Sequence, residues 1–329
     1  MSLIAPSLQA YFADRLIRER RVSSHTIRSY RDTIRLLIGF AANRAGTAAS
    51  SRTFDDIDHK TVGAFLDHIE HERGCAPGTR NARLAAIRSF YRYAALDYPE
   101  HAATIERVLA IPLKRTDRPL VTWLTKPELD ALLAGPDQRT WTGRRDHAMI
   151  LFAAQTGLLA SKLMNVRIGD VALGVGPHVQ TLGKGRRERV TPLTDTTVIT
   201  LRAWLKERGG MPGDPLFPTR TGGQLTRDAL ARRLTKYAMT AARACPSLAG
   251  KAVTPHVLRH TAAMRLLHAK IDTSMIALWL GHAEIQTTQV YLHADLALKE
   301  EALAKAEPID SKPGRYRPPD PLLRFLESL

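Results

Sequence analysis

The chain has 329 residues and carries 48 Lys+Arg against 32 Asp+Glu, a formal net charge of +16 with a pI near 10.2. That length accommodates two domains with a core each. Two widely separated cysteines, Cys75 and Cys245, argue against a disulfide framework and against a Cys-based zinc site. No apolar run is long enough to span a bilayer. The opening MSLIAPSLQAYFADRL lacks the basic and apolar regions of a signal peptide, so a cytoplasmic protein without a membrane segment is expected. Residues 1–118 hold 19 Lys+Arg and 13 Asp+Glu, a net +6, and the rest of the chain supplies the other +10. A polyanion is the natural partner, because released counterions would drive binding. A merely solvated basic surface has the same composition, and charge alone does not choose between the two.

Residues 7–21 show a helical pattern with Leu8, Tyr11, Phe12, Leu16 and Ile17 on one side. A second helix opens near Ser24 and turns Ile27, Tyr30, Ile34 and Leu37 inward, leaving Arg28, Arg31 and Arg35 as a stripe on its other face. Asp58 is placed to cap a third helix that ends at Gly74. Thr79 is placed to cap a fourth, running to about Leu96 and decorated by Arg80, Arg83, Arg88 and Arg92. A single surface arginine is more often solvated than bound. The second-helix stripe stands out because its arginines repeat beside a single acid, Asp32. The stretch IPLKRTDRPLV at 111–121, with its prolines and basic residues, reads as an extended, solvent-exposed linker.

Thr125 to Glu128 forms a T-x-x-E capping box that opens a second domain. Arg144 to Gln155 is an apolar helix closed by Gly157. From Val171 to Leu193 the pattern changes to short β-prone pieces, VAL, HVQTL and RERVTPL, with Gly183-Lys184-Gly185 as the turn between two of them. Residues 195–208 and 226–244 read as further helices. After His293, ALKEEALAKA has a polar helical pattern. The tail that follows is Pro-rich and ends in an apolar piece with Leu322, Leu323, Phe325 and Leu326, suited either to docking on another protomer or to folding back on its own domain.

The stretch Val253 to His293 concentrates the chemistry. Thr254 is a good N-cap and Pro255 suits the first helical position. Helical spacing then brings His256, Arg259 and His260 to one side and turns Leu258, Ala262, Leu266 and Leu267 largely to the buried side. Ser274 to Leu280 reads as a short helix stopped by Gly281, with His282 next and Tyr291 nine residues further on. Breaking a phosphodiester needs a nucleophile, charge stabilisation and a proton for the leaving oxygen. Tyr291 offers the first and Arg259 a planar fork for two oxygens, while His256 and His282 offer acid–base groups near neutrality. His260 is assigned a packing role. Each residue alone has a bland alternative: Tyr291 as a half-buried packing residue like Tyr237, and His282 as a helix cap. His256 and His260 would make half a metal site, but the glutamate of H-E-x-x-H is absent, with Val257 in its place. No metal or cofactor is expected.

The composite of H-x-x-R, L-G-H and a tyrosine in a TTQxY context resembles the tyrosine recombinase (phage integrase) family. The likeness spans roughly residues 7 to 300 and is sharp at 156–163, 183–185 and 256–291. It implies a mainly α fold with a small antiparallel β-sheet. A four-helix, SAM-like core-binding domain that clamps DNA would occupy 1–111, a linker 112–121, an α+β catalytic domain 122–300 and a possible protomer-exchange tail 301–329. It also implies strand cleavage and rejoining through a 3′-phosphotyrosine, without ATP or metal. Double-stranded DNA would be the substrate, bound by a tetramer on two sites or alongside partner recombinases. Lys184 matches the family's lysine that protonates the leaving 5′ oxygen. Arg186, Arg187 and Arg189 beside it would contact backbone phosphates, as would Arg28, Arg31, Arg35, Arg80 and Arg83 in the first domain.

One element departs. Where the family reads approximately T-G-L-R-x-S-E-L, this chain reads TGLLASKL, so Leu159 stands in place of the first phosphate-clamping arginine and Lys162 in place of an acid. Losing one such donor costs ~3–4 kcal/mol of transition-state stabilisation, roughly 10²–10³ in rate. Lys162 is a point charge and does not reproduce a bidentate fork. Arg144, Arg145 and Arg167 are other substitutes that the sequence does not rank. Three readings follow: a recombinase or integrase weakened at this position, a catalytically inactive DNA-binding or assembly subunit working beside active partners, or a type IB topoisomerase-like enzyme.

Overall fold

The amphipathic pattern at the start of the chain folds as α1 (Ile4–Ala10) and continues as a wider π-helix over Tyr11–Glu19. The wider turn moves the buried face. Tyr11 and Leu16, five residues apart, are each 1% exposed, whereas Ile17, expected inside, is 53% exposed. The computed structural model describes residues 2–116, 121–182 and 188–281, together with Thr288 and Tyr291. It divides into two units, Met1–Arg118 and Pro119–Leu329.

In the first unit, Ser23 caps α2 (Ser24–Ala45) by accepting from the Thr26 amide, and Asp58 caps α3 (His59–Asp67) by accepting from Thr61. A π turn carries α3 on to Glu72. Helix α4 (Pro77–Asp97) begins at Pro77, ahead of the expected Thr79, because proline tolerates the first turn where its missing amide is not needed. A further helix, α5 (Ala102–Ala110), adds Ile105 and Val108 to the core built from Leu37, Phe65, Leu84, Phe90 and Tyr91. The first domain therefore has one helix more than the four expected.

The α2 stripe is exposed at Arg28, Arg31 and Arg35, with Arg31 paired to Asp32 at 3.0 Å. Arg80 is a correction. Expected on the outer face of α4, it is 6% exposed, lies 3.6 Å from Glu70 and donates to the Pro112 carbonyl at 3.4 Å. Arg83 is half-buried. The start of the expected linker is also tied down. Asn81 donates to the Lys114 carbonyl at 2.8 Å and accepts from its amide at 3.1 Å, and the Lys114 ammonium reaches Glu70 at 2.8 Å. A buried guanidinium needs acceptors, and the 111–114 backbone provides them. Residues 117–120 of the linker lie outside the described residues.

The second unit opens with α6 (Lys126–Ala134), whose capping box forms as expected between Thr125 and Glu128. Helix α7 (Trp141–Thr156) is buried along most of its length and ends on Gly157 in the left-handed region. Short α8 (Ala160–Asn165) precedes a three-stranded antiparallel sheet in the order β1 (Val171–Ala172), β2 (His178–Leu182), β3 (Glu188–Pro192). Then come α9 (Asp195–Arg208), α10 (Arg227–Ala241), α11 (Pro255–His268) and α12 (Thr273–Leu280). Leu132, Phe152, Leu201, Leu230 and Leu258 are among the residues that share its core. Among the described residues no helix is long and apolar enough to cross a membrane.

Tyr237 takes the packing role expected of it, donating to Asp146 at 2.6 Å. Asp146 also holds Arg145 at 2.7 Å and Arg233 at 3.2 Å while fully buried. Removing one partner from such a group strands the others' charge. Asp146→Ala is therefore expected to lower the unfolding free energy by about 3–5 kcal/mol, against about 0.3–0.5 kcal/mol for Asp130→Ala at an exposed helical pair. Urea unfolding of the two variants, followed by circular dichroism, measures the contrast; equal losses would refute it.

Candidate active site

The end of α7 is where the site begins. The last carbonyls of a helix have no partner within it and carry the negative end of its dipole. Here three consecutive ones draw donors from three other elements. The indole Nε1 of Trp279, on α12, donates to the Gln155 carbonyl at 3.4 Å. The Arg189 guanidinium, on β3, donates to Thr156 at 3.4 Å, and that of Arg259, on α11, donates to Gly157 at 2.7 Å. Gly157 is required there twice over. Its φ is +62°, and a Cβ would fall 2.6 Å from Leu280 Cδ2 and 3.1 Å from the Ala262 methyl.

Helix α11 carries the remaining groups on one face. Thr254 caps it by accepting from the Val257 amide, and Leu258, Ala262 and Leu267 face inward, with Leu266 half-buried. Arg259 is buried; His256 is exposed and His260 lies between the two in exposure. The two imidazoles have centroids 6.2 Å apart. Tyr291 packs its ring among Ala263, Met264, Leu267, Ile276 and Leu280, and its hydroxyl lies 3.1 Å from His260 Nδ1. Burial pushes the Tyr291 phenol above its ordinary value, and the nearby positive charge of Arg259 partly opposes that shift. Burial likewise lowers Arg259. His260 is pushed down to about 4 by burial, then by His256 and Arg259. At neutral pH it is an uncharged imidazole hydrogen-bonded to a protonated phenol.

The expected constellation is thus assembled in part. Tyr291, Arg259 and His256 come to one region through α11. His282, Lys184, Arg186 and Arg187 lie outside the described residues, as does the tail 301–329. His260, expected only to pack, is the imidazole that touches the tyrosine; its place beside Arg259 and four residues after His256 was the available signal. Arg189, expected to contact backbone phosphates beside Arg186 and Arg187, is half-buried and reaches the end of α7. Strand alternation explains it: Thr191, on the same face two residues on, is buried, and the intervening Val190 is exposed.

Residues 122–297 match the model of the phage integrase family, and residues 9–97 match that of the phage integrase N-terminal SAM-like domain. The chain belongs to the phage integrase family of tyrosine recombinases. It is 50% identical over 326 residues to a putative integrase/recombinase of Sinorhizobium fredii, covering 99% of this chain and 98% of that one. It is 33% identical to the tyrosine recombinase XerC of Xanthomonas campestris, over 84% of this chain and 81% of that one. Its fold is shared with a XerH site-specific recombinase bound to palindromic difH substrate in a post-cleavage complex, at a TM-score of 0.66, 22% identity and coverage of 87% and 81% of the two chains. It is shared also with the Tn1549 transposon integrase in complex with circular intermediate DNA, at a TM-score of 0.68, 17% identity and coverage of 92% and 99%.

Leu159 and Lys162, expected at the first arginine position and the acid after it, are also placed by the structure. Leu159 caps α8 with 41% of its surface exposed. Lys162 lines a groove with Asp170, Gln180 and Glu188, and none of Arg259, His256 and His260 borders that groove. The other candidate substitutes are engaged elsewhere: Arg144 with Glu207 at 2.6 Å, Arg145 with Asp146, and Arg167 with the Gly213 carbonyl at 3.2 Å. Among the described residues no cluster of His, Cys, Asp and Glu could hold a metal ion.

The depressed His260 has a sign that can be read. The unfolded imidazole takes a proton near 6.5 and the folded one only near 4, so this site's contribution to stability is complete above 6.5 and is lost as pH falls from there to about 4. In an NMR titration, the imidazole resonance that disappears in His260→Asn should shift with a midpoint of about 4. A midpoint at the ordinary histidine value would contradict the buried, doubly opposed environment.

Proposed function

We propose that this tyrosine recombinase cleaves and rejoins DNA strands through a 3′-phosphotyrosine formed by Tyr291. The observation that carries the reading is the contact of its hydroxyl with His260 on the helix that also bears Arg259. In the forward step the phenol oxygen bonds to phosphorus as its proton passes to His260, whose basicity the bound phosphate's negative charge raises. The bond from phosphorus to the 5′ oxygen breaks, and that oxygen takes a proton from Lys184. Arg259, His256 and His282 hold the non-bridging oxygens, and the reverse attack by a 5′ hydroxyl rejoins the strand. Bond energy is conserved in the phosphotyrosine, so neither ATP nor metal enters the scheme. At 2% exposure, Tyr291 must leave its packing to meet the duplex.

The exposed Arg28, Arg31 and Arg35 of the first unit serve as phosphate contacts. The relatives solved with their DNA substrates support double-stranded DNA as the partner, and strand exchange calls for a tetramer on two sites. Leu159 and Lys162 weaken cleavage relative to a recombinase with both arginines. The same two residues favour a second reading, in which the chain binds DNA and assembles with active partners without cutting.

A duplex enriched from a random library for retention by the Tyr291→Phe protein, then nicked at successive positions, makes a suicide substrate. The parent chain is expected to form a covalent adduct that Tyr291→Phe abolishes, and Leu159→Arg with Lys162→Glu to speed its formation, up to roughly 10²–10³-fold. DNA retention with no adduct from any of these proteins would select the second reading. Separately, replacing Arg28, Arg31 and Arg35 by alanine should flatten the plot of log affinity against log salt by about 0.9 for every phosphate that is no longer neutralised. An unchanged slope would remove the stripe from the interface.

A further inference from the structure

Leu159 leaves the phosphate site one guanidinium short, yet a second guanidinium docks on the carbonyl next to the one that Arg259 holds. Arg189 and Arg259 come from β3 and α11 and dock on adjacent carbonyls, Thr156 at 3.4 Å and Gly157 at 2.7 Å. That turn leads directly into Leu159, so an arginine at 159 would rise from the same corner of the fold. We infer that Arg189 supplies the second guanidinium for the scissile phosphate, replacing the one lost at position 159; this rests on the phosphotyrosine reading above.

Three observations support the assignment. Arg189 is held down to about 10 by burial and then by the charge of Arg259, so two cations share a half-buried space, and no carboxylate among the described residues offsets either. Two cations held together without an acid create a positive field that an anion would relieve. The Arg189 Nε is buried and has no hydrogen-bond partner, which leaves an unfilled donor on its fork. Finally, the guanidinium runs against Gly281, the residue before His282: a Cβ there would stand 2.9 Å from Arg189 Nη1. Gly281 ends α12 in the left-handed region, and the Arg189 side chain lies over it.

The test uses the full chain carrying Tyr291→Phe and the enriched duplex, with each phosphate in turn replaced by a neutral methylphosphonate. Neutralising the phosphate at the site is expected to weaken binding roughly 10- to 100-fold with Arg189 present, and several-fold less in Arg189→Gln. Leu159→Arg added to Arg189→Gln should restore the sensitivity. With Tyr291 intact, the same pair of changes should slow and then recover adduct formation. Arg189→Lys keeps the charge without the fork and should match the parent's urea midpoint while showing intermediate sensitivity. Sensitivity in Arg189→Gln equal to the parent's at every phosphate overturns the inference, and so does a loss that Leu159→Arg fails to restore. A parent that forms no adduct removes the phosphotyrosine reading alone, because the methylphosphonate comparison involves no cleavage and still decides for or against Arg189.

Discussion

The unsatisfied carbonyls at the end of α7 are what the active region depends on. Gln155, Thr156 and Gly157 face out of a helix that cannot bond them itself, and donors from α12, β3 and α11 converge there. Two of the three donors are guanidiniums, which suit the negative end of the dipole. Three elements distant in sequence are thereby registered on one turn. Gly157 makes the turn possible by accepting a left-handed backbone and by letting Leu280 and Ala262 approach.

That turn is anchored from behind. Asp146, one helical stretch earlier on α7, binds Arg145, Arg233 and Tyr237, the last two from α10. A fully buried carboxylate with several donors fixes the rotation of α7 about its axis more sharply than apolar contacts do, because charge-assisted bonds have narrow geometry. The orientation of the terminal carbonyls follows from that rotation. The ion-pair network and the turn that receives Arg259 and Arg189 thus belong to the same helix.

Burial sets the protonation states on α11. The same low-polarity surroundings raise Tyr291, lower Arg259 and depress His260. The result is a neutral acceptor next to a neutral donor, with fixed positive charge nearby. A phosphate entering such a set would relieve the mutual repulsion of the two guanidiniums.

Much of this was legible in the chain. Caps at Asp58, Thr125 and Thr254, glycine stops at Gly157 and Gly281, and the β-prone pieces before Leu193 located most elements, because these signals are local. The block from His256 to Tyr291 declared the family for the same reason: its spacing lies within one helix pair and a short following stretch. Other positions were decided elsewhere. Ile17 faces solvent because a π-helix alters the pitch, and Arg80 is buried because the 111–114 backbone returns to α4. His260 and Arg189 acquired their neighbours from α11 and β3 meeting the end of α7. Sequence by itself determined the helices, their stops and the chemical repertoire. Only the tertiary structure decided which imidazole meets the phenol and which arginine stands beside Arg259, because those pairings join residues tens of positions apart through packing that no local pattern encodes.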